Sequence, residues 1–362
     1  MPRTPLAPLV LSSLVVAAAA CSSTAAPVDG TDAPATSACA GRRDTTKVPL
    51  NDLGAGCYLS FQGGLYPDGT NELPAAHLAA GQAAAARIRP LDVSGNPSAA
   101  GRYVLLSIGM SNTTQEFCSA GGLPNSCEPW SFVGQATADP AVNHTTLALV
   151  NGASGGKAAP SWTSASAPDY DRIRDTWLRP LGLSEQQVQI VWLKLANATP
   201  RVSLPDSAAD AYVLERQLGD VVRALKLRYP NLRQVFLSSR IYAGYATSAL
   251  NPEPYAYETG FAVKWLIQSQ IEQMAGRAGD ARTGSLRHDG NVAPWLAWGP
   301  YPWAAGARPR ADGLTWVPGD FNPSDLTHPA QGARQKVGAM LLQHFKTSPA
   351  TRCWFLAGQS CG

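Results

Sequence analysis

Two short stretches of this chain carry residue types whose spacing could perform chemistry. The first is Ile108-Gly109-Met110-Ser111-Asn112, directly after the apolar run Tyr103 to Ile108. Gly109 permits an abrupt turn, and a helix beginning near Ser111 would aim free backbone N–H groups at the space above the hydroxyl. A hydroxyl so placed can attack an acyl carbon while the amides receive the developing negative charge. A plainer role also fits, because Ser and Asn commonly cap helices. The second stretch is Ser324-Asp325-Leu326-Thr327-His328-Pro329. A histidine can take a proton from a serine and return it near neutral pH, and an aspartate three residues earlier can reach the other ring nitrogen. Pro329 suits the first position of a following helix. The plainer alternative is that Asp325 or Thr327 caps that helix.

Other candidates are weaker. His77, His144, His288 and His344 lack a comparable acid and turn. No compact His and carboxylate set spaced for metal ligation is present, so chemistry without a metal or cofactor is expected. The block Asn151-Gly152-Ala153-Ser154-Gly155-Gly156-Lys157 is followed by Ala158, not by the Ser or Thr of a phosphate cradle. Trp295, Trp298, Tyr301, Trp303 and Trp316 crowd a region rich in Gly and Pro. Loops of this kind could stack on a sugar ring, although each Trp taken singly fits a core position better. Arg240 and Tyr242 are candidates for the same cleft, with an ion pair or a core edge as the alternative.

The elements that must position these residues are legible as period and run length. Tyr103 to Ile108, Thr146 to Val150, Gln189 to Leu195 and Gln234 to Leu237 are apolar runs of strand length. Helical spacing of apolar residues marks Asp210 to Tyr229, stopped by Pro230, and further helices are predicted over Tyr257 to Met274, Pro329 to Phe345 and His77 to Ile88. Buried strands separated by helices predict an α/β fold, a mainly parallel sheet covered on both faces. The candidate residues then fall at the carboxyl ends of strands, where such sheets place their ligands.

The order of these elements resembles the SGNH hydrolases, also called the GDSL lipase and esterase family. There a nucleophilic serine follows the first strand and an Asp-x-x-His pair lies near the C-terminus. The resemblance spans about Tyr103 to Phe345 and implies a flavodoxin-like three-layer α/β/α sandwich. It makes Ser111 the nucleophile, His328 the general base and Asp325 the orienting acid. It further implies an oxyanion hole from the amide of Ser111, a Gly after the second strand and an Asn after the third. Gly155 is the match for the Gly, with Gly152 and Gly156 close by, and Asn197 for the Asn. The third block, Leu195-Ala196-Asn197-Ala198, lacks the Asp of the family's Gly-x-Asn-Asp, which leaves a turn residue as the other reading of Asn197. Gly-Met-Ser-Asn is nearer to the Ser-Asn form of sialate and polysaccharide O-acetylesterases than to Gly-Asp-Ser, with Asn112 a candidate for substrate contact. The implied activity is hydrolysis of an O-acyl ester, foremost an O-acetyl ester on a carbohydrate, through an acyl-enzyme. The competing reading is a noncatalytic cell-envelope protein of the same fold, either carbohydrate-binding or a structural lipoprotein.

Composition bounds partners and compartment. The chain has 362 residues with 15% charged types and a net charge of +3, and no run of four Lys or Arg occurs that could track a phosphate backbone. Nucleic acid is therefore not an expected partner. Arg3 precedes the apolar run Leu9 to Ala20, which is short for a membrane span and has the shape of an export signal over residues 1–20. Cys21 then stands where a bacterial lipoprotein is acylated, so attachment to the cell envelope and simple secretion are both open. Residues 21–40 read as a small-residue and polar tether, and residues 41–362 as one domain. Six further cysteines form an even set expected in an oxidising compartment. Nearest-neighbour pairing, Cys39–Cys57, Cys118–Cys127 and Cys353–Cys361, is the economical choice. Oligomeric state is not legible.

Overall fold

The computed structural model describes residues 1–2, 39–119 and 126–361. Cys21 and nearly all of the expected signal and tether lie outside the described residues. Among the described residues, no helix is long and apolar enough to cross a membrane.

After a one-turn helix α1 (Leu50–Leu53), the chain forms a small antiparallel hairpin, β1 (Cys57–Tyr58) with β2 (Phe61–Gln62), and then helix α2 (Ala75–Ala85). The central sheet begins with β3 (Tyr103–Gly109), which leads straight into α3 (Ser111–Phe117) and α4 (Phe132–Ala138). It continues through β4 (Leu147–Asn151), α5 (Pro168–Arg172), β5 (Val188–Lys194), α6 (Asp210–Arg228), β6 (Gln234–Leu237), α7 (Tyr255–Met274) and β7 (Trp295–Trp298). Helices α8 (Gln331–Thr347) and α9 (Arg352–Phe355) close the chain. The five long-range strands are parallel throughout and lie in the order β4-β3-β5-β6-β7.

Strand alternation builds two cores, as a sheet buried on both faces requires. Val104, Leu106 and Ile108 of β3 pack with Val191, Leu193 and Val235 toward α6 and α7. Tyr103 and Leu105 face the other way with Ile190, Trp192 and Phe236, against Phe132 of α4 and Val337, Leu341 and Phe345 of α8. The fold is therefore a three-layer α/β/α sandwich. In α6, Leu214, Leu218, Val221, Val222 and Leu225 supply the buried stripe, and Lys226 and Arg228 in the last turn complement the helix dipole.

Three disulfides join nearest-neighbour cysteines, Cys39–Cys57, Cys118–Cys127 and Cys353–Cys361. The second sits directly after α3. Because β4 and β5 flank β3 on opposite sides, successive chain connections diverge at the carboxyl end of β3, the crevice where open α/β sheets accept ligands.

Candidate active site

Ser111 is the first residue of α3, separated from the end of β3 by Met110 alone. The N-cap is Met110, with extended backbone (φ −102°, ψ −167°), so the Ser111 hydroxyl is not needed as a cap. The turn packs too closely for any side chain at 109 without a shift of its neighbours. A Cβ there would lie 2.3 Å from Thr113 Oγ1 and 2.4 Å from the Lys194 carbonyl oxygen. Thr113 in turn donates its hydroxyl to that same carbonyl at 2.7 Å, pinning α3 to the end of β5.

The distant C-terminal stretch meets this turn. His328 Nε2 lies 2.9 Å from Ser111 Oγ, and His328 Nδ1 lies 2.5 Å from Asp325 Oδ2. The aspartate is held by its other oxygen, which accepts the N–H groups of Thr327 at 2.9 Å and His328 at 3.0 Å. Leu326, at φ +49°, makes the tight reversal between them. Partial burial works to raise the Asp325 pKa, but those two amides and the imidazole together hold the carboxyl below its ordinary value. The Asp325 and His328 side chains keep about a quarter of their surface, 24% and 23%, so solvent reaches them. The other histidines are placed differently. His77 and His344 are buried and pushed down to about 4, largely by desolvation, and His144 contacts the Asp139 carbonyl.

The expected oxyanion donors lie on three different segments. The Ser111 N–H, at the first helical position, has no intrahelical acceptor. Gly155 follows β4 and is brought beside Ser111 by the Ser154 N–H, which donates to the Gly109 carbonyl at 3.1 Å. A Cβ on Gly155 would have Ser111 Cβ as its nearest neighbour, at 3.9 Å. The two neighbouring glycines serve otherwise. Gly152 is packed on the Ser107 carbonyl, leaving no room for a side chain, and Gly156 has φ +74° with nothing near its Cβ position. Asn197 lies after β5, and its Nδ2 donates to the Asp210 carbonyl at 3.3 Å, which leaves one N–H of that amide.

Several residues expected to contact substrate sit elsewhere. Trp295 and Trp298 form β7, a strand where the sequence suggests loops, and with Trp303 and Trp316 they are at most 2% exposed. Their indole N–H groups are bonded to His77, Leu65 and Pro302 carbonyls and, for Trp303, to Glu253 Oε1. These rings fill the two cores and offer no wall for a sugar. Asn112 is 2% exposed and donates to the Thr327 carbonyl at 3.2 Å, tying the serine turn to the histidine turn instead of facing outward. Arg240 is 2% exposed, its guanidinium held below the ordinary arginine value by burial and pulled back up by Glu116, Glu253 and Asp325. Tyr242 is half-buried against Tyr245 and Trp303.

Two further features escape a reading by motif. Lys194 and Glu116 form a wholly buried ion pair under the serine turn. The loop after β6 binds the aspartate turn, with the Thr247 N–H on the Asp325 carbonyl at 3.1 Å and Ser248 Oγ 3.1 Å from Thr327 Oγ1. A lysine inside the apolar run of β5 was the available signal for the first. Nothing in the sequence marks the second. Among the described residues, no group of three or more His, Cys, Asp or Glu could hold a metal ion.

The architecture defines a class, an α/β/α protein with a serine, a histidine and an aspartate in series at the carboxyl edge of a parallel sheet. No family model and no curated protein matches the chain. Solved structures that it resembles include a Corynascus thermopiles carbohydrate esterase family 2 enzyme with its carbohydrate-binding domain, at 14% identity and TM-score 0.37, covering 69% of this chain and 68% of that one. A family two carbohydrate esterase from Clostridium thermocellum, in complex with cellohexaose, is matched at 15% identity and TM-score 0.34, over 69% of this chain and 65% of that one. A Bacillus subtilis protein is matched at 13% identity and TM-score 0.34, over 69% of this chain and 57% of its own length. The chain thus spans less than two thirds of two of these three, and likenesses at this level fix neither family nor activity.

Proposed function

We propose that this protein is an exported serine esterase of the SGNH type that removes an O-acyl group, foremost acetyl, from a carbohydrate without a metal or cofactor. The observation that supports it is the unbroken series from Ser111 Oγ through the His328 imidazole to the Asp325 carboxylate, at 2.9 and 2.5 Å. In this reading His328 Nε2 takes the Ser111 proton as Oγ attacks the acyl carbon. Asp325 fixes the proton on Nδ1 and supports the imidazolium. The N–H groups of Ser111 and Gly155, with the remaining N–H of Asn197, receive the oxyanion. His328 then protonates the leaving alcohol, and water repeats the sequence on the acyl-enzyme to release the acid.

The acetyl and carbohydrate parts rest on the Ser-Asn form of the serine motif. Export rests on the N-terminal run and on the three disulfides, and the protein is then either held at the cell envelope by a lipid on Cys21 or released. The decisive experiment is labelling with a fluorophosphonate, read by peptide mass spectrometry, beside hydrolysis of p-nitrophenyl acetate and of an acetylated xylan. Labelling at Ser111 and loss of turnover in Ser111→Ala are expected. An unlabelled, inert wild type would favour a noncatalytic carbohydrate-binding or structural envelope protein.

A further inference from the structure

Asn251 lies near the end of the loop that joins β6 to α7. It has a left-handed backbone (φ +56°) and only 4% of its surface is exposed. Its Nδ2 donates to the Asn197 carbonyl at 3.1 Å, while its Oδ1 is buried with no hydrogen-bond partner. A buried amide oxygen left without a donor loses its hydration with nothing in return, so such atoms usually face a water site. Asn251 lines a cavity of about 10 Å³ together with Asn197, Asp210, Tyr255, Glu258 and Thr259. That is on the order of the space one water molecule requires.

The polar neighbours are mostly engaged. The Asp210 carboxylate accepts the N–H groups of Arg201 and Val202, and the Thr259 hydroxyl donates to the Ala256 carbonyl and accepts the Arg240 N–H. Glu258 Oε1 accepts from Tyr58 and Leu204, whereas Oε2 accepts from Leu204 alone and retains a lone pair. The same loop binds the Asp325 and Thr327 turn through Thr247 and Ser248, so a single segment indexes both the acid–base turn and Asn197.

We propose that the cavity holds one ordered water, donating to Asn251 Oδ1 and hydrogen-bonded to Glu258 Oε2, and that Asn251 is a positioning residue that sets Asn197 as the third oxyanion donor. The inference rests on the reading of Asn197 given above. Asn251→Gly removes the amide while suiting the left-handed backbone, and Asn251→Asp keeps the side-chain shape but loses the donor to Asn197.

The test measures kcat and KM for p-nitrophenyl acetate in Asn251→Gly, Asn251→Asp, Asn197→Ala and the double variant Asn197→Ala/Asn251→Gly. Removal of an oxyanion donor costs about 10²–10³-fold in kcat, and loosening one is expected to cost about tenfold or more with KM within about twofold. The double variant should be no slower than Asn197→Ala alone, because the two act on one interaction. Wild-type kcat in both Asn251 variants, or losses that multiply in the double variant, would overturn the positioning role. Wild-type kcat in Asn197→Ala would instead remove the reading beneath it, and the inference with it. A high-resolution crystal structure should show a water against Asn251 Oδ1, and an empty cavity there would overturn the water site.

Discussion

Lys194 Nζ and Glu116 Oε1 meet at 2.6 Å with neither side chain exposed, on the end of β5 and on the helix that begins with Ser111. Burial pushes Lys194 down to about 8 and Glu116 up, and each group's charge pulls the other back. Removing one partner leaves the other unpaired in the interior, which typically costs about 3–5 kcal/mol. Lys194→Met alone is therefore expected to lower unfolding free energy by about that amount in urea titration. Lys194→Met with Glu116→Leu should recover most of it. If the double variant is as unstable as the single, the pair is not what holds this helix in place.

Gly109→Ala tests the geometry of the turn itself. The new Cβ would meet Thr113 Oγ1, Thr113 Cβ and the Lys194 carbonyl, and rotation of the threonine side chain relieves only the first of these. Overpacking of this kind costs about 1–3 kcal/mol. A lower melting temperature is expected, together with loss of ester turnover, and Thr113→Ala should not restore either because the carbonyl remains. Full recovery in the double variant would show that the backbone contact is not the limiting one.

The fold was legible where periodicity was strong. Four strands and the helices after Asp210, Tyr255 and Gln331 stand within a few residues of where the apolar pattern puts them. The fifth strand, Trp295–Trp298, was not, because WLAW has no polar alternation: both of its faces are buried, one by Leu296 and Trp298 and the other by Trp295 and Ala297. A run of aromatics beside Gly and Pro looks like a binding loop when only its composition is known. Ser111, Asp325 and His328 could be picked out because their spacing has a mechanical reason. Asn251 could not, since its bond to Asn197 spans 54 residues and depends on how two loops meet.

Asp325→Asn isolates the electrostatic part of the series. An amide can still accept the N–H groups of Thr327 and His328 through Oδ1, so the turn should persist. Its NH2 then faces His328 Nδ1 and favours the tautomer with the proton on Nε2, which cannot accept a proton from Ser111. Unfolding free energy close to wild type and a kcat lower by about 10⁴-fold are expected. A fall of less than tenfold would mean that the aspartate only shapes the turn.

Glu258 should give the protein a pH-dependent stability. Burial pushes its carboxyl up to about 7, against the donors Leu204 and Tyr58. Between its ordinary value of 4.5 and 7 the folded state holds a proton that the unfolded state has released, so stability falls as pH rises through this window, by about 1.4 kcal/mol per unit. Glu258→Gln removes that loss. The variant's stability relative to wild type, from urea titrations at pH 5 and pH 8, should therefore improve by about 2–3 kcal/mol at the higher pH. A difference that does not change with pH would place the carboxyl near its ordinary value.

Gly155→Ala separates folding from function at a single methyl group. The position has an ordinary backbone conformation, is exposed, and has only Ser111 Cβ within 4 Å of an added Cβ, at 3.9 Å. Neither strain nor a clash opposes the substitution, and a surface change of this sort usually alters stability by about 0.5 kcal/mol or less. The methyl group would nonetheless enter the space beside the Ser111 hydroxyl, where, on the proposed reading, an acyl group approaches for the Gly155 N–H to reach its oxygen. A drop in kcat/KM of about tenfold or more on p-nitrophenyl acetate, with an unchanged melting temperature, is the expected pair of results. Wild-type kcat/KM would show that the space beside Ser111 Cβ is not on the path of the acyl group, and since Gly152 is closed in by the Ser107 carbonyl, Gly156, which has open space around it, would become the next donor to test on this loop.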